Sequence, residues 1–443
     1  MKNITGNFIH LLIPVLLSFI TVPTAHAATY YVSVNAGSDS NPGTEAAPFK
    51  TIARGSEAMA SGDTLYIRAG TYLERMVNSG IYHFKFVNGK PGAYTRYAAY
   101  PGEEKKVIIK PTLEGYIDYT VWFGEGRSFI EISGLVFDSS TLTAANEWRN
   151  IIGFDDAARN NRLINNEIRF AQKGILNGGG NEFIGNHFHH LRGYGIYTKH
   201  DNGLLEGNIF HDIGGYAIHH YQQHATVNGW IIRNNVIYRA GRTFVSTNDG
   251  RTDKLAAVVI SRSEPGKPPN QFYNNIIYDS HAGIQVGLGT INPLIANNTV
   301  YGNDDYGIKV GDSDSSSKNA RIINNISFGN GGAQISDTGT GTVLQNNLTT
   351  DPKFVNAAAG DFGVQAGSPA IDKGITVAQV TTDFTGKARP EAAAYDIGAF
   401  EGAGSKADAM PDMSGGLPGG GLPGGGGGPV LLGPNGEVCP SGF

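Results

Sequence analysis

An all-β solenoid, a right-handed parallel β-helix, is the fold class this sequence predicts, and three observations carry it. The first is a repeat. The pattern apolar–Ile–x–Asn/Gly–Asn–x–Ile/Val returns as RLINNEI (162–168), EFIGNHF (182–188), LLEGNIF (204–210) and IIRNNVI (231–237), then as QFYNNII (271–277), PLIANNTV (293–300), RIINNIS (321–327) and VLQNNLT (343–349). Its marker asparagines, Asn166, Asn186, Asn208, Asn235, Asn275, Asn298, Asn325 and Asn347, are 20, 22, 27, 40, 23, 27 and 22 residues apart. Coils of that length bury their apolar sides only against their neighbours in a stack. The second observation is that a further short Ile/Val-rich strand follows most copies, as in KGIL (173–176), GYGIYT (193–198), GYAIHH (215–220), AGIQV (282–286) and YGIKV (306–310). Gly, Asn or Asp bounds each of them, as turns bound strands. The third is what is missing: the leucine ladder and helical segments of a leucine-rich repeat are absent.

Taken in order, residues 1–27 read as a signal peptide. Lys2 precedes the apolar run FIHLLIPVLLSFI, and Ala25-His26-Ala27 fits a small-x-small cleavage site. The apolar run is shorter than the roughly 20 residues that span a bilayer. The mature chain is therefore expected to begin near Ala28, to be exported and to carry no transmembrane segment. Residues 28–128 are expected to hold a cap and irregular early coils. FKTIARGSEAMA (49–60) has a helical pattern that could plug the first coil, and GDTLYIRAGTY (62–72) follows as the first strand. The regular coils run over 129–350, opening with FIEISGLVF (129–137). A closing module occupies 351–401. From 402 to 443 the chain collapses into GGLPGGGLPGGGGGP and the like, which cannot bury a core and is expected to be disordered. The single cysteine, Cys439, allows no internal disulfide. The Asn-Asn pairs are assigned to structure, since stacked amides can form a ladder and Asn and Gly tolerate a left-handed corner.

The opening stretch YYVSVNAGSDSNPGTEAAPFKTIARGSEAMASGDTLYIRAGTY (30–72) resembles that of secreted pectate-lyase-like β-helix proteins. The C-terminal SPAID…DFTGKARP…YDIGAFE resembles the closing module of that group, often called a choice-of-anchor domain. The resemblance covers nearly all of 30–401 and implies the fold. Enzymes of the group are mostly polysaccharide lyases, with some glycosidases and uronate epimerases, and other members have no known activity. Motifs of particular subfamilies do not carry over. Of the pectin-hydrolase set only Asp155-Asp156 is present, the Asp-Pro-His of mannuronan epimerases is absent, and the Lys–Arg and calcium-carboxylate motif of alginate- and chondroitin-cleaving lyases is not matched.

The chemistry is therefore read from position. GYGIY at 193–197 returns as GYAIH at 215–219, and alternate side chains of a strand point to opposite faces. If Ile196 and Thr198 point inward, Tyr197 and Lys199 point out. One coil later His219 and Tyr221 point out and His220 points in. AAVVISRSE (256–264) can add Arg262 to the Lys199–Tyr221 column, in a register open to a one-residue slip. Gln285 and Lys309 would extend the Tyr197–His219 column. Eight of the twelve histidines fall within 187–224, and residues 190–270 hold nine Lys/Arg against six Asp/Glu in a chain of net charge −5. The 40-residue interval between markers makes room for loops at 241–254 and 261–270, where sites tend to sit on rigid scaffolds.

Beta-elimination on a uronic-acid polymer needs a base beside the acidic carbon and a cation on its carboxylate. The catalytic candidates are Lys199, His219, Tyr221 and Arg262, and the substrate-binding candidates are Tyr197, Arg251, Gln285 and Lys309. Lys199 or His219 would be the base, Arg262 or Arg251 the carboxylate clamp, and Tyr221 the acid. No metal site is assigned, because the histidines lack a recognisable zinc spacing. No cofactor is required; calcium is a candidate only at GDSDSSSKN (311–319), which reads better as a solvated turn. Asp155-Asp156 and Asp304-Asp305 do not make facing pairs, since neighbours on a strand face opposite ways. The acidic balance argues against nucleic acid, and a monomer acting on a polysaccharide is expected. Three readings follow: a secreted polysaccharide lyase cleaving an anionic glycan, a non-catalytic surface or matrix glycan-binding protein, and a β-helix glycosidase or uronate epimerase.

Overall fold

The computed structural model describes residues 27–79, 82–111, 119–141, 150–176, 178–221, 225–245, 252–311 and 317–410. The expected export signal (save Ala27), residues 312–316 of the calcium candidate at 311–319, Arg251 and the tail from 411 onward lie outside the described residues.

The coils between the two ends contribute strands to three walls. Wall 1 is a 12-stranded parallel sheet running from Thr29–Val32 and Thr64–Ile67 up to Arg321–Ile323 and Val343–Gln345. Walls 2 and 3 are the two halves of one 19-stranded sheet, bent along its length. Glu167–Leu176 and His187–Thr198 run through both halves as single strands, whereas later coils break at the bend, as between Ile209–Ile213 and Ile218–His220. Apolar side chains fill the inside and align from coil to coil. Phe86, Phe123 and Phe154 stack at 4.8 and 4.5 Å, and Phe188 and Phe210 at 4.7 Å, all with nearly parallel rings.

The Asn-Asn pairs explain the corner between walls 1 and 2. The first member takes the left-handed conformation: Asn165, Asn234, Asn274, Asn297, Asn324 and Asn346 have φ of 51–57°, and glycine replaces it at Gly185 and Gly207. The second member points inward and builds a ladder. From Asn166 to Asn347, each backbone N–H and each Nδ2 donates to the Oδ1 of the next asparagine, at 2.8–3.1 Å. A buried turn would otherwise leave these groups unpaired.

The N-terminal end is closed by the helix Ile52–Ala58, which lies where the sequence predicts a cap. Thr51 caps it through its side chain, and Gly55 lets it approach closely: an added Cβ would lie 2.7 Å from Leu65 and 2.8 Å from Val32. The first strand is Thr29–Val32, and the segment 62–72 supplies the second strand of wall 1 and the first of wall 2. The early coils are more regular than expected, since Met76–Ser79, Val107–Lys110 and Tyr119–Phe123 all pair in parallel.

The closing module lies along the outside of the later coils. Phe362, Phe400 and Met410 pack on the outward side chains Tyr238 and Tyr278 of wall 2, and Val377 and Val380 on Tyr273, Leu294 and Ile323 of wall 1. Four of the left-handed asparagines grip it: Asn274, Asn297, Asn324 and Asn346 donate to the carbonyls of Thr382, Asp396, Ile375 and Lys373. At its centre the buried Arg389 and Glu401 pair, and Arg389 also donates to Gly398 O and Asn274 Oδ1. Packing continues past Glu401, the expected edge of the tail. Lys406 N and the Ser405 hydroxyl donate to the Asp361 carboxylate, and Met410 is buried.

Candidate functional site

The outward column of wall 3 is fixed by strand pairing. Tyr197 stands opposite His219, His219 opposite Val259, Val259 opposite Gln285, and Gln285 opposite Lys309. Ile196, Ile218, Val258, Ile284 and Ile308, one residue earlier on each strand, are fully buried inside. Val259 is also buried and separates the Tyr197–His219 pair from Gln285 and Lys309. At about 4.8 Å per coil the column spans ~19 Å.

Around His219 the wall is aromatic and cationic. Its ring stacks on Tyr197 at 4.3 Å, on Tyr216 at 4.6 Å and on Tyr221 at 5.2 Å, and the Tyr194 ring lies 4.6 Å away. A cation lies over each of four tyrosine rings. Lys199 Nζ is 5.1 Å from the centre of Tyr197, Lys173 Nζ 5.8 Å from Tyr194, and Lys309 Nζ 5.5 Å from Tyr306. The fourth is Arg262 over Tyr221, at 5.4 Å.

Arg262 arrives there by a different route from the one the sequence suggests. With His220 opposite Ile260, the partner of Tyr221 is Ser261, whose hydroxyl donates to His220 O. Arg262 is therefore one residue out of the column. It occupies the corner after the strand, with φ of 49°, and reaches Tyr221 with its side chain. His220 points inward, as its parity requires, and its Nδ1 lies 2.8 Å from Thr198 Oγ1.

Burial sets the protonation of the wall. It pushes His219 down to about 3, helped by the charges on Lys173 and Lys199, so the imidazole is neutral at pH 7. His219 Nδ1 is buried with no hydrogen-bond partner among the described residues. Lys199 is also lowered by burial, and Lys173 by burial and by the nearby Lys199 charge. Tyr197 and Tyr216 are both raised to about 12 by burial. These shifts leave neutral phenols around two ammonium groups that hold their protons less tightly than usual.

Sequence reasoning missed Lys173, Tyr194 and Tyr216. They lie two residues before the inward Ile175, Ile196 and Ile218, so strict alternation sends them inside. The bend defeats the alternation. An added Cβ on Gly174 would lie 2.9 Å from Phe188, and one on Gly195 would lie 2.8 Å from Phe210, so these glycines face the core directly beside the inward isoleucines. The residues before them are thereby turned outward. The aligned triplets Lys-Gly-Ile, Tyr-Gly-Ile and Tyr-Ala-Ile were the available signal.

The doublet carboxylates are occupied elsewhere. Asp155 accepts from backbone N–H groups of Gly126, Ala157 and Ala158, Asp156 pairs with His200, and Asp304 pairs with Arg242. Among the described residues, the groups of side chains spaced to hold a metal ion lie on wall 2, not here: Glu167, His187 and His189, and His190, His211 and Asp212.

A family model described as "Right handed beta helix region" matches residues 175–349 and 265–377. The chain folds as a right-handed parallel β-helix. Solved structures agree on this fold. A pectate lyase, Pel9A, is 16% identical with a TM-score of 0.55, over 84% of this chain and 96% of that one. A rhamnogalacturonan lyase is 16% identical with a TM-score of 0.53, over 74% and 91%. Among curated proteins, "Uncharacterized protein YwoF" of Bacillus subtilis (strain 168) is 42% identical over 81 residues, which span 18% of this chain and 15% of that protein. No helix of the described residues is long and apolar enough to cross a membrane.

Proposed function

We propose that this β-helix is an exported polysaccharide lyase that cleaves a uronic-acid-containing glycan by β-elimination on wall 3. The observation that carries the reading is the cluster of Lys173, Lys199 and Arg262 on the same tyrosine-rich wall, two of them lowered by burial. Lys199, in its neutral form, is the base that removes the proton beside the carboxylate. A base works best when its pKa lies near the operating pH, and a lowered lysine meets that condition better than His219 at about 3. His219 is a positioning residue, packed against the rings of both Tyr197 and Tyr221. Arg262 neutralises the carboxylate as the carbanion forms. Tyr221 donates its proton to the leaving glycosidic oxygen, and Tyr197 offers a face to a sugar ring. Gln285 and Lys309 lie further along the column and would meet sugars beyond the cleaved bond. The pectate lyase and the rhamnogalacturonan lyase that share this fold support the reading.

The test is a screen of the purified protein against alginate, pectate, chondroitin and neutral glycans, following the ultraviolet absorbance of unsaturated product. Activity on an anionic polymer that falls 10²–10⁴-fold in Lys199→Ala is expected, the usual share of a general base. Full activity in Lys199→Ala would refute the assignment. The half-buried aromatic wall also favours a second reading, a non-catalytic glycan binder. That reading is the one to adopt if the wild type binds an anionic glycan and releases no unsaturated product.

A further inference from the structure

Wall 2, one bend away from the tyrosine wall, carries a separate cluster assembled from three successive coils. Glu167 stands opposite His187, and His189 opposite His211. The ring centres of His187, His189 and His211 are 4.6, 4.8 and 5.1 Å apart. Glu167, His187 and His189 each offer one ligand atom, all within 4.8 Å of one another. His211, which also stands in a second set with His190 and Asp212, faces the group with its Nε2 2.7 Å from His187 Nε2.

The surroundings fix which nitrogens are free. His211 Nδ1 lies 2.7 Å from Asp212 Oδ2, and Arg239 clamps that carboxylate at 2.7 and 2.8 Å. Asp212 therefore accepts a hydrogen bond from the His211 Nδ1–H, and the His211 lone pair is left on Nε2, facing His187. A carboxylate behind an imidazole in this way is the usual outer support of a metal-binding histidine. His189 Nε2 faces Glu167 Oε1 at 3.2 Å. Arg169 contacts Glu167 but is also held by Asp138 at 2.8 and 3.0 Å, so it keeps a partner if Glu167 turns to a cation. The charges near the cluster are Lys105, Lys110, Arg169 and Arg239 against Asp138, Glu167 and Asp212.

We infer that Glu167, His187, His189 and His211 form a binding site for a borderline transition-metal dication of the zinc type, tying three coils together on wall 2. Three imidazole nitrogens and one carboxylate oxygen suit a closed four-coordinate ion. Two nitrogens on such an ion, with bonds of about 2.0–2.1 Å, lie roughly 3.3 Å apart. The two facing Nε2 atoms need to part by about half an ångström, which ring rotation supplies. Calcium and magnesium, which take oxygen ligands, do not match this donor set. Sequence spacing could not reveal the site, because its ligands become neighbours only when coils stack.

The experiment uses the full chain without an affinity tag, stripped by a chelator and titrated with Zn²⁺ and Co²⁺. Uptake of one equivalent is expected, with the visible absorption of tetrahedral Co²⁺ and a rise in the melting temperature on adding Zn²⁺. His187→Gln and His211→Gln should each weaken uptake at least 100-fold, and Asp212→Asn roughly 10–100-fold. His281→Gln, outside the cluster, should leave it unchanged. Circular dichroism checks that each variant is folded, and the wild-type Co²⁺ spectrum stands independently of them. Absence of stoichiometric uptake by the wild type, uptake by both histidine variants as tight as that of the wild type, or displacement of Co²⁺ by Ca²⁺ would overturn the inference.

Discussion

Replacing Asn208 by Ala tests whether the asparagine ladder, more than packing alone, fixes the coil stack. Asn208 is fully buried. Its Oδ1 accepts from the backbone N and Nδ2 of Asn186, and its Nδ2 donates to Phe183 O and Asn235 Oδ1. Truncation removes all four bonds, but three of the partners keep another. Asn186 Nδ2 still reaches Leu163 O, and Asn235 Oδ1 still accepts from the Asn208 backbone. One group is left orphaned, the Asn186 N–H, because the Phe183 carbonyl keeps its ladder partner on the next coil. At about 1–3 kcal/mol for the buried unpaired group and about 0.5–1.5 kcal/mol for the further bonds lost, the loss should be ~3 kcal/mol. Asn347, at the end of the ladder, is only half-buried. Water can replace its bonds, so Asn347→Ala should cost about 1 kcal/mol. Urea titrations of both variants, followed by tryptophan fluorescence because Trp230 is buried in the neighbouring coil, measure the difference. A loss below 1 kcal/mol for Asn208→Ala, or equal losses at the two positions, would refute the reasoning.

Arg389→Ala should destabilise the closing module by about 3–5 kcal/mol, because Glu401 is left charged and buried; limited proteolysis of the module measures the loss. Burial holds His220 down to about 4 in the folded chain, while the unfolded chain takes that proton near pH 6.5. Between those values the unfolded state binds more protons, so stability falls as pH falls from 6.5 towards 4, by about 3 kcal/mol for this residue, and is flat above. Melting curves at pH 7.5 and 4.5 should therefore diverge less in His220→Gln than in the wild type. If wall 3 is the active site, Lys173→Met removes a positive charge and lets Lys199 keep its proton to higher pH, so the acid limb of the rate profile should move upward. An unmoved limb would detach Lys173 from the base.

The coil repeat was legible because each part of it has a local cause. The Asn-Asn pairs mark a corner that needs one left-handed residue and one inward amide, and both requirements act on neighbouring positions. The Tyr197–His219 and Gln285–Lys309 matches were legible for the same reason, since the inward isoleucines fix parity. What failed was parity across a bend. Gly174, Gly195 and Ala217 each let two consecutive residues face the core, and this turned Lys173, Tyr194 and Tyr216 outward against the simple alternation. Arg262 moved by one residue because the long 40-residue coil sets its own register when it rejoins the sheet. The histidine-rich stretch was conspicuous, yet its members divide between two walls: His187, His189 and His211 on wall 2, His219 on wall 3. Counting residues cannot show which side of a bend each one takes.

A stack of coils with free ends would ordinarily peel one rung at a time. Here the strand of chain from Lys373 to Asp396 is fastened to four consecutive rungs through Asn274, Asn297, Asn324 and Asn346. The last rung cannot leave while that fastening holds, and once it gives way all four lose it together. The C-terminal third should therefore exchange its amide hydrogens as one block, where the middle of the spiral is free to breathe rung by rung.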